Sequence, residues 1–206
     1  YRRSLAIREK AFGLDHPAVL SPLIGLASGY VNQRRYIEAE PLVKRSLAIR
    51  EKSLPPDHPD VENSLNSLVG LYGELGRLAE AEAVQNRSIA IREKALGPNH
   101  PDVANGLNKL ANIHFAQGKY AEAETLHKRT IAIREKALGP DHPDVAASLS
   151  NLAGLYTTQG KYTEAETLYR RLITLREKAL GLNHPDVAAS LNGLATLYLE
   201  QRRVAE

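Results

Sequence analysis

The sequence predicts an all-α fold, a helical-repeat solenoid of stacked antiparallel helix pairs, and three observations predict it. His-Pro occurs at His16-Pro17, His58-Pro59, His100-Pro101, His142-Pro143 and His184-Pro185, each 42 residues after the last. Arg-Glu-Lys recurs in the same register at residues 8–10, 50–52, 92–94, 134–136 and 176–178. Between these markers the apolar residues follow a 3.6-residue period and not the alternation of a strand. A lone pair of amphipathic helices cannot bury both apolar faces, so neighbouring units must stack and share a continuous core.

Each unit opens at its proline, which suits a first helical turn because the N–H it lacks would have no partner there. The aspartate that follows, Asp186 after Pro185 for example, suits the positive end of the helix dipole. The first helix carries Val145, Leu149, Leu152, Leu155 and Tyr156 on one side. It ends at Gln159-Gly160-Lys161, where glycine can take the left-handed conformation that closes a helix. The second helix starts at Tyr162, carries Ala165, Leu168, Leu172, Ile173 and Leu175, and stops before Gly181. The same reading places helices at 1–11, 17–32, 36–53, 59–75, 78–95, 101–117, 120–137, 143–159, 162–179 and 185–201. Residues 1–206 then form a single array: the second helix of a partial repeat at 1–16, four repeats at 17–58, 59–100, 101–142 and 143–184, and a partial fifth at 185–206. The first full repeat is expected to be the least regular, with kinks near Pro22 and Pro41, each of which removes a helical hydrogen bond.

Composition narrows the function classes. With 43% apolar and 25% charged residues the chain can bury a sizeable core. The absence of Cys removes disulfide frameworks and thiolate metal sites, and fits a reducing, cytoplasmic setting. Lys plus Arg 27 against Asp plus Glu 24 is too balanced to imply a nucleic-acid partner, and no apolar run suggests a membrane partner. There is no Met, and the chain begins and stops inside a repeat, so it is expected to be a piece of a longer protein whose open ends self-stack end to end. No nucleophile elbow, phosphate loop or zinc-protease motif is found, and catalytic residues would be singular where almost everything here is repeated, so no enzyme activity, cofactor or metal is expected. The five His-Pro histidines cannot share one zinc, because ligands ~2 Å from the metal lie far closer together than equivalent points on stacked helices ~8–10 Å apart. They read as junction residues at helix starts.

The spacing Leu149, Leu152, Ala153, Tyr156, Gly160, Tyr162, Ala165 resembles the tetratricopeptide repeat. Repeat two matches with Leu65, Leu68, Val69, Tyr72, Gly76 and Ala81. Repeat three matches with Leu107, Leu110, Ala111, Gly118, Tyr120 and Ala123, with His114 in place of the tyrosine. The longer unit, with its Leu-Gly-x-x-His-Pro-Asp-Val-Ala junction, is similar to the kinesin light chain type. The resemblance implies a right-handed superhelix whose first helices line a concave groove, and a protein-interaction scaffold that binds a partner protein or peptide segment there. A structural spacer or a sensor array within a larger multidomain signalling protein is the alternative.

Carried onto this sequence, the groove residues are Asn63, Asn66 and Gly70 in repeat two, with Gly73 nearby, and Asn105, Asn108, Lys109, Asn112 and Phe115 in repeat three. Ser150, Gly154 and Thr157 follow in repeat four, and Asn192 in repeat five. Asparagine is a below-average helix former, and a carboxamide both donates and accepts, so a ladder of them suits a guest backbone. Exposed polar positions of a duplicated unit are the plainer reading. The glycines would widen the groove, or else serve close helix packing. Ile24 and Val31 make the groove greasier at the first repeat. Lys109 is the only cation in the full first helices of repeats two to four, so a carboxylate clamp is not expected. Arg3, Arg45, Arg87, Arg129 and Arg171 recur on the second helices and read as a solvated convex face, with Glu40, Glu124 and Glu166 placed for ion pairs four residues on.

Overall fold

The histidines explain where the first helices begin. His16, His58, His100, His142 and His184 each accept, through Nδ1, the backbone N–H two residues on, at 3.1–3.2 Å. Each is therefore a side-chain N-cap, and the proline between cap and donor needs no partner of its own. The structure, a computed structural model, describes residues 1–205, so Glu206 of the fifth repeat lies outside it.

Ten α-helices follow one another among the described residues: α1 Arg2–Phe12, α2 Leu20–Asn32, α3 Tyr36–Ser53, α4 Pro59–Glu74, α5 Leu78–Leu96, α6 Pro101–Ala116, α7 Tyr120–Leu138, α8 Pro143–Thr158, α9 Tyr162–Leu180 and α10 Pro185–Ala205. No strand occurs among those residues, and no helix there is long and apolar enough to cross a membrane. The helices group into two compact units, Tyr1–Ala95 and Leu96–Glu206. In the first, α2 packs on α3 and α3 on α4; in the second, each helix from α6 to α10 packs on the next.

Most boundaries fall within a residue or two of those read from the period, and the departures have local causes. In the first full repeat a 3-10 turn at Pro17–Val19 precedes the α-helix, which begins only at Leu20. Pro22 is then the third residue of α2, inside the opening turn whose N–H groups have no helical partner, so the penalty expected of it is not incurred. Pro41 is interior, yet α3 runs unbroken from Tyr36 to Ser53, with the proline on its exposed side where water can reach the freed carbonyl. Both prolines are thus accommodated without interrupting a helix. α3 ends one residue earlier than its counterparts because Leu54 precedes Pro55, which forces it to an extended φ of −129°. The turn between paired helices has positive φ at Gly76, Gly118 and Gly160, but in the first repeat the same position is Arg34, at φ 56°.

The periodic apolar residues form the core. Val145, Leu149, Leu152, Leu155 and Tyr156 of α8 are buried with Ala165, Leu172 and Leu175 of α9 and Leu197 of α10. Each large side chain contributes roughly 1.5–3 kcal/mol relative to exposure. Ala39, Ala81, Ala123 and Ala165 are fully buried, and these small side chains let paired helices approach closely.

In both units a recurring arginine fastens a second helix to the start of the first helix that follows it. Arg134 of α7 donates through Nη1 to the Asp144 carbonyl at 2.8 Å and to Ser148 Oγ at 2.6 Å, and through Nη2 to Asn105 Oδ1 at 2.6 Å. Arg176 repeats the first two bonds on Asp186 and Ser190, at 2.9 and 2.7 Å. In the first unit Arg50 donates to Ser64 Oγ at 2.6 Å, and Arg8 to the Ala18 carbonyl at 2.7 Å. Arg92 is buried and paired with Glu62 of the same unit. These are the arginines of the Arg-Glu-Lys triplets. The glutamates of the triplets have their own partners one repeat on: Glu9 with Arg45 at 2.6 Å, Glu51 with Arg87, and Glu135 with Arg171. The arginines read from sequence as a solvated face are therefore partly engaged in holding successive second helices together. The pairs Glu40–Lys44, Glu124–Lys128 and Glu166–Arg170 form as spaced.

Two stability changes follow from this geometry. Arg34→Gly relieves a left-handed non-glycine residue and raises stability by about 0.5–1 kcal/mol, after the entropy cost of glycine is subtracted. Arg134→Ala strands buried acceptors and lowers stability by about 3 kcal/mol, whereas Arg171→Ala, whose partner pair is well solvated, costs under ~1 kcal/mol. Urea unfolding of the three variants beside the parent chain checks both.

Candidate functional site

In the first unit the groove-facing sides of α2 and α4 stand over α3 and leave a cavity of about 600 Å³. Ile24, Val31, Val43 and Leu71 supply its apolar wall, while Asn32, Ser67 and Asn63 supply polar edges. Across it Tyr36 donates its hydroxyl to Glu74 at 2.9 Å, and the carboxylate raises the phenol pKa above its ordinary value. Arg50, the junction arginine, also lines it. Ile24 and Val31, which the sequence singles out as the apolar groove positions of the first repeat, both line the cavity.

The residues singled out from sequence separate into distinct environments. Asn63 and Gly70 line the cavity, and Asn66 is half-buried on the same helix outside it. A Cβ built at Gly70, Gly73 or Gly154 meets nothing within 4 Å, so these glycines leave open groove surface and do not serve close packing. In the second unit Asn108 Oδ1 accepts from Asn151 Nδ2 at 3.0 Å, joining α6 to α8 across the groove. Each carboxamide of that pair keeps further donor or acceptor capacity. Asn105 is turned to the junction, where it accepts from Arg134. Lys109 and Asn112 are exposed on α6, and Phe115, 38% exposed, lies 5.6 Å from the Tyr120 ring. Ser150, Gly154 and Thr157 are half-buried along α8, and Asn192 is exposed on α10.

Sequence reading overlooks Asn151, Val43 and Ser67. Asn151 and Ser67 are in phase with Lys109, which it does single out, so extending that phase through the repeats would find them. Beneath the groove of the second unit His127 is 2% exposed, and burial pushes its pKa down to about 4. Glu124 on the same helix is held down to about 2 by hydrogen bonds from Lys128 and Lys161, with the Tyr156 hydroxyl as a third donor.

These positions sit in repeats that match known ones. A family model for the tetratricopeptide repeat matches residues 20–94, 60–135, 102–178 and 147–206, and a second tetratricopeptide repeat model matches residues 1–18. The chain belongs to the tetratricopeptide repeat family. Its repeats are of the kinesin light chain type. The nearly identical TPR-like repeats of a Podosopora anserina protein designated a kinesin light chain share 31% identity with it, over 91% of this chain and 89% of that one, with a TM-score of 0.76. A point variant of those repeats shares 30% identity over 89% of this chain and 87% of that one, also with a TM-score of 0.76. BtubC (BKLC) from P. vanneervenii shares the fold, with a TM-score of 0.75 at 19% identity over 97% of this chain and 80% of that one. No curated protein matches the chain. Tetratricopeptide repeats generally mediate protein–protein interaction.

Acid stability reports on the buried groups of the second unit. His127 has a lower pKa folded than unfolded, so as pH falls below ~6.5 the unfolded chain binds a proton that the folded one refuses; stability drops until about pH 4 and then levels. His127→Gln, which places at this position the residue found one repeat earlier at Gln85, removes about 3 kcal/mol of that pH dependence. Glu124 acts lower: its stabilisation is complete above the ordinary carboxylate range and is lost as pH falls through about 2. Urea midpoints of parent and variant between pH 7 and about pH 2 separate the two steps.

Proposed function

We propose that this array is a protein-interaction scaffold that receives a peptide segment of a partner protein in the groove faced by its first helices. One observation carries the reading: on that face of the first unit, an apolar-walled cavity of about 600 Å³ is edged by groups that can both donate and accept hydrogen bonds. That combination is what a peptide needs, an anchor for a side chain and partners for the backbone. Asn63, Asn66 and Gly70 form the ligand face of the first unit. Asn108, Lys109, Asn112, Phe115, Ser150, Gly154, Thr157 and Asn192 form that of the second, while Asn105 is engaged at the junction. Self-stacking is a secondary contact of the same scaffold, supported by Ile7 and Phe12 on α1 and Leu199 on α10, all more than half exposed.

A peptide library displayed against the whole immobilised chain tests the proposal, with affinities then measured by calorimetry. Asn66→Ala and Asn108→Ala, made singly, each weaken a selected peptide by about 1–3 kcal/mol where its backbone uses that carboxamide. Lys52→Ala, on a second helix away from the groove, leaves affinity unchanged. Groove variants that stay folded and bind like the parent reject the groove as the site.

A further inference from the structure

The repeats present one structural position in several versions, and comparing them shows what the cavity of the first unit lacks. A second-helix residue recurs as Tyr1, Val43, Gln85, His127 and Tyr169, and 24 residues after each stands Gly25, Ser67, Lys109, Asn151 and Gly193. Where the first member is tyrosine the second is glycine. The structure gives the reason: a Cβ at Gly193 would come 2.6 Å from the Tyr169 ring, and one at Gly25 would come 2.5 Å from the Tyr1 ring. Each ring therefore lies directly against the backbone of the next first helix, a place only glycine leaves free.

At the junction of α3 and α4 the pair is Val43 with Ser67, and no ring fills that place. Ser46 likewise stands where the fourth repeat has Leu172. All three smaller residues line the 600 Å³ cavity. In the second unit the recess at the matching junction has a different lining, without the deep-lying positions. A recess of about 570 Å³ there is lined by Thr157, Thr158, Tyr162 and Glu200, in phase with Val31, Asn32, Tyr36 and Glu74. Tyr169 and Leu172, in phase with the deep-lying Val43 and Ser46, are buried and do not line it. At the junction between α7 and α8, His127 takes the tyrosine position and the Asn108–Asn151 hydrogen bond crosses the groove.

We propose that the Val43–Ser67 pair opens, and the Tyr169–Gly193 pair closes, a pocket for one aromatic side chain, so that a partner peptide anchors a tyrosine or phenylalanine ring at the α2–α3–α4 junction. The occupant is inferred from the molecule itself, which places a tyrosine ring at the same position wherever the adjoining residue is glycine. The inference rests on the groove reading above and adds to it the chemistry of the anchor and the two residues that select its register. An aromatic ring suits the place because it buries a large area with few rotatable bonds, and the polar edge at Asn32, Ser67 and Asn63 can receive a phenol hydroxyl.

Methyl NMR of the whole chain titrated with p-cresol, the tyrosine side chain alone, reads the pocket directly. Saturable shifts are expected at Ile24, Val31, Val43 and Leu71, in the millimolar range. The double variant Val43→Tyr with Ser67→Gly, which copies the closed pair, weakens p-cresol at least ten-fold. The reverse variant, Tyr169→Val with Gly193→Ser, gains a second set of shifts at Leu197 and keeps the proposal testable if the first variant does not fold. No saturable shift in the parent, equal binding to the filled variant, or tert-butanol binding as tightly as p-cresol overturns the proposal. Library peptides that bind the parent and the filled variant equally reject the ring pocket while leaving the groove reading standing. Binding of p-cresol without capture of any peptide keeps the pocket and rejects the groove reading.

Discussion

A guanidinium buried where a second helix meets the next first helix is the constraint on which the described junctions depend. Its placement is costly by two routes: a charge leaves water, and it approaches the positive end of a helix dipole. The surroundings offset both. Arg134 finds the Asp144 carbonyl, the Ser148 hydroxyl and the Asn105 carboxamide together, and Arg50 has Ser64 at 2.6 Å and the Asp60 carboxylate at 3.8 Å. Arginine suits this task better than lysine because its planar fork donates in several fixed directions at once. The imidazole cap beside it adds an acceptor at the same helix start, so cap, aspartate and arginine form one electrostatic unit. With that unit in place the register between neighbours is fixed, and the apolar stripes of adjacent helices meet.

A fixed frame frees the positions that face the groove. Val43, His127 and Tyr169 occupy one place in three repeats and differ in size, polarity and ionisation, while the arginine and the cap beneath them do not vary. The first unit therefore carries an open apolar cavity and the second a carboxamide-bridged surface over α6 and α8, with the same pairing of helices within each. Repeat architecture separates the two demands well, because each unit contacts only its neighbours and a change in one groove position is felt at one junction.

The outer edge shows a second recurring cluster with a different role. Tyr72 and Tyr156 lie under cations from the following turn, Arg77 at 4.7 Å and Lys161 at 5.1 Å, and both hydroxyls reach the glutamates, Glu40 and Glu124, that also hold those cations. Charge, ring and hydroxyl thus close the junction at the end of the first helix opposite the arginine. In the third repeat His114 replaces this tyrosine, and the basic residue that would precede it by 28 positions is Asn86. The two members of the cluster change together.

The sequence by itself determined whatever depends on local backbone chemistry or on strict recurrence. The 42-residue period, the helix starts at His-Pro, the glycine turns and the buried faces were all legible, because capping, φ preference and helical periodicity act within a few residues. Helical phase alone also puts Asn63, Gly70 and Asn108 opposite the apolar stripe, and Asn63 and Gly70 do line the cavity of the first unit. Tertiary structure decided what lies across a junction. It gave the Arg-Glu-Lys arginines their acceptors 10 and 14 residues on, turned Asn105 toward Arg134, tied Asn108 to Asn151 and set the Tyr169 ring on Gly193. The prolines show the same division: a rule about one residue marks Pro22 and Pro41 as costly, but the 3-10 turn at Pro17–Val19 moves the helix start so that Pro22 falls in an opening turn, and α3 continues through Pro41 on its exposed side. Recurrence tells which positions matter in every unit, but the energy of each side chain comes from a neighbour whose distance in space the period does not encode.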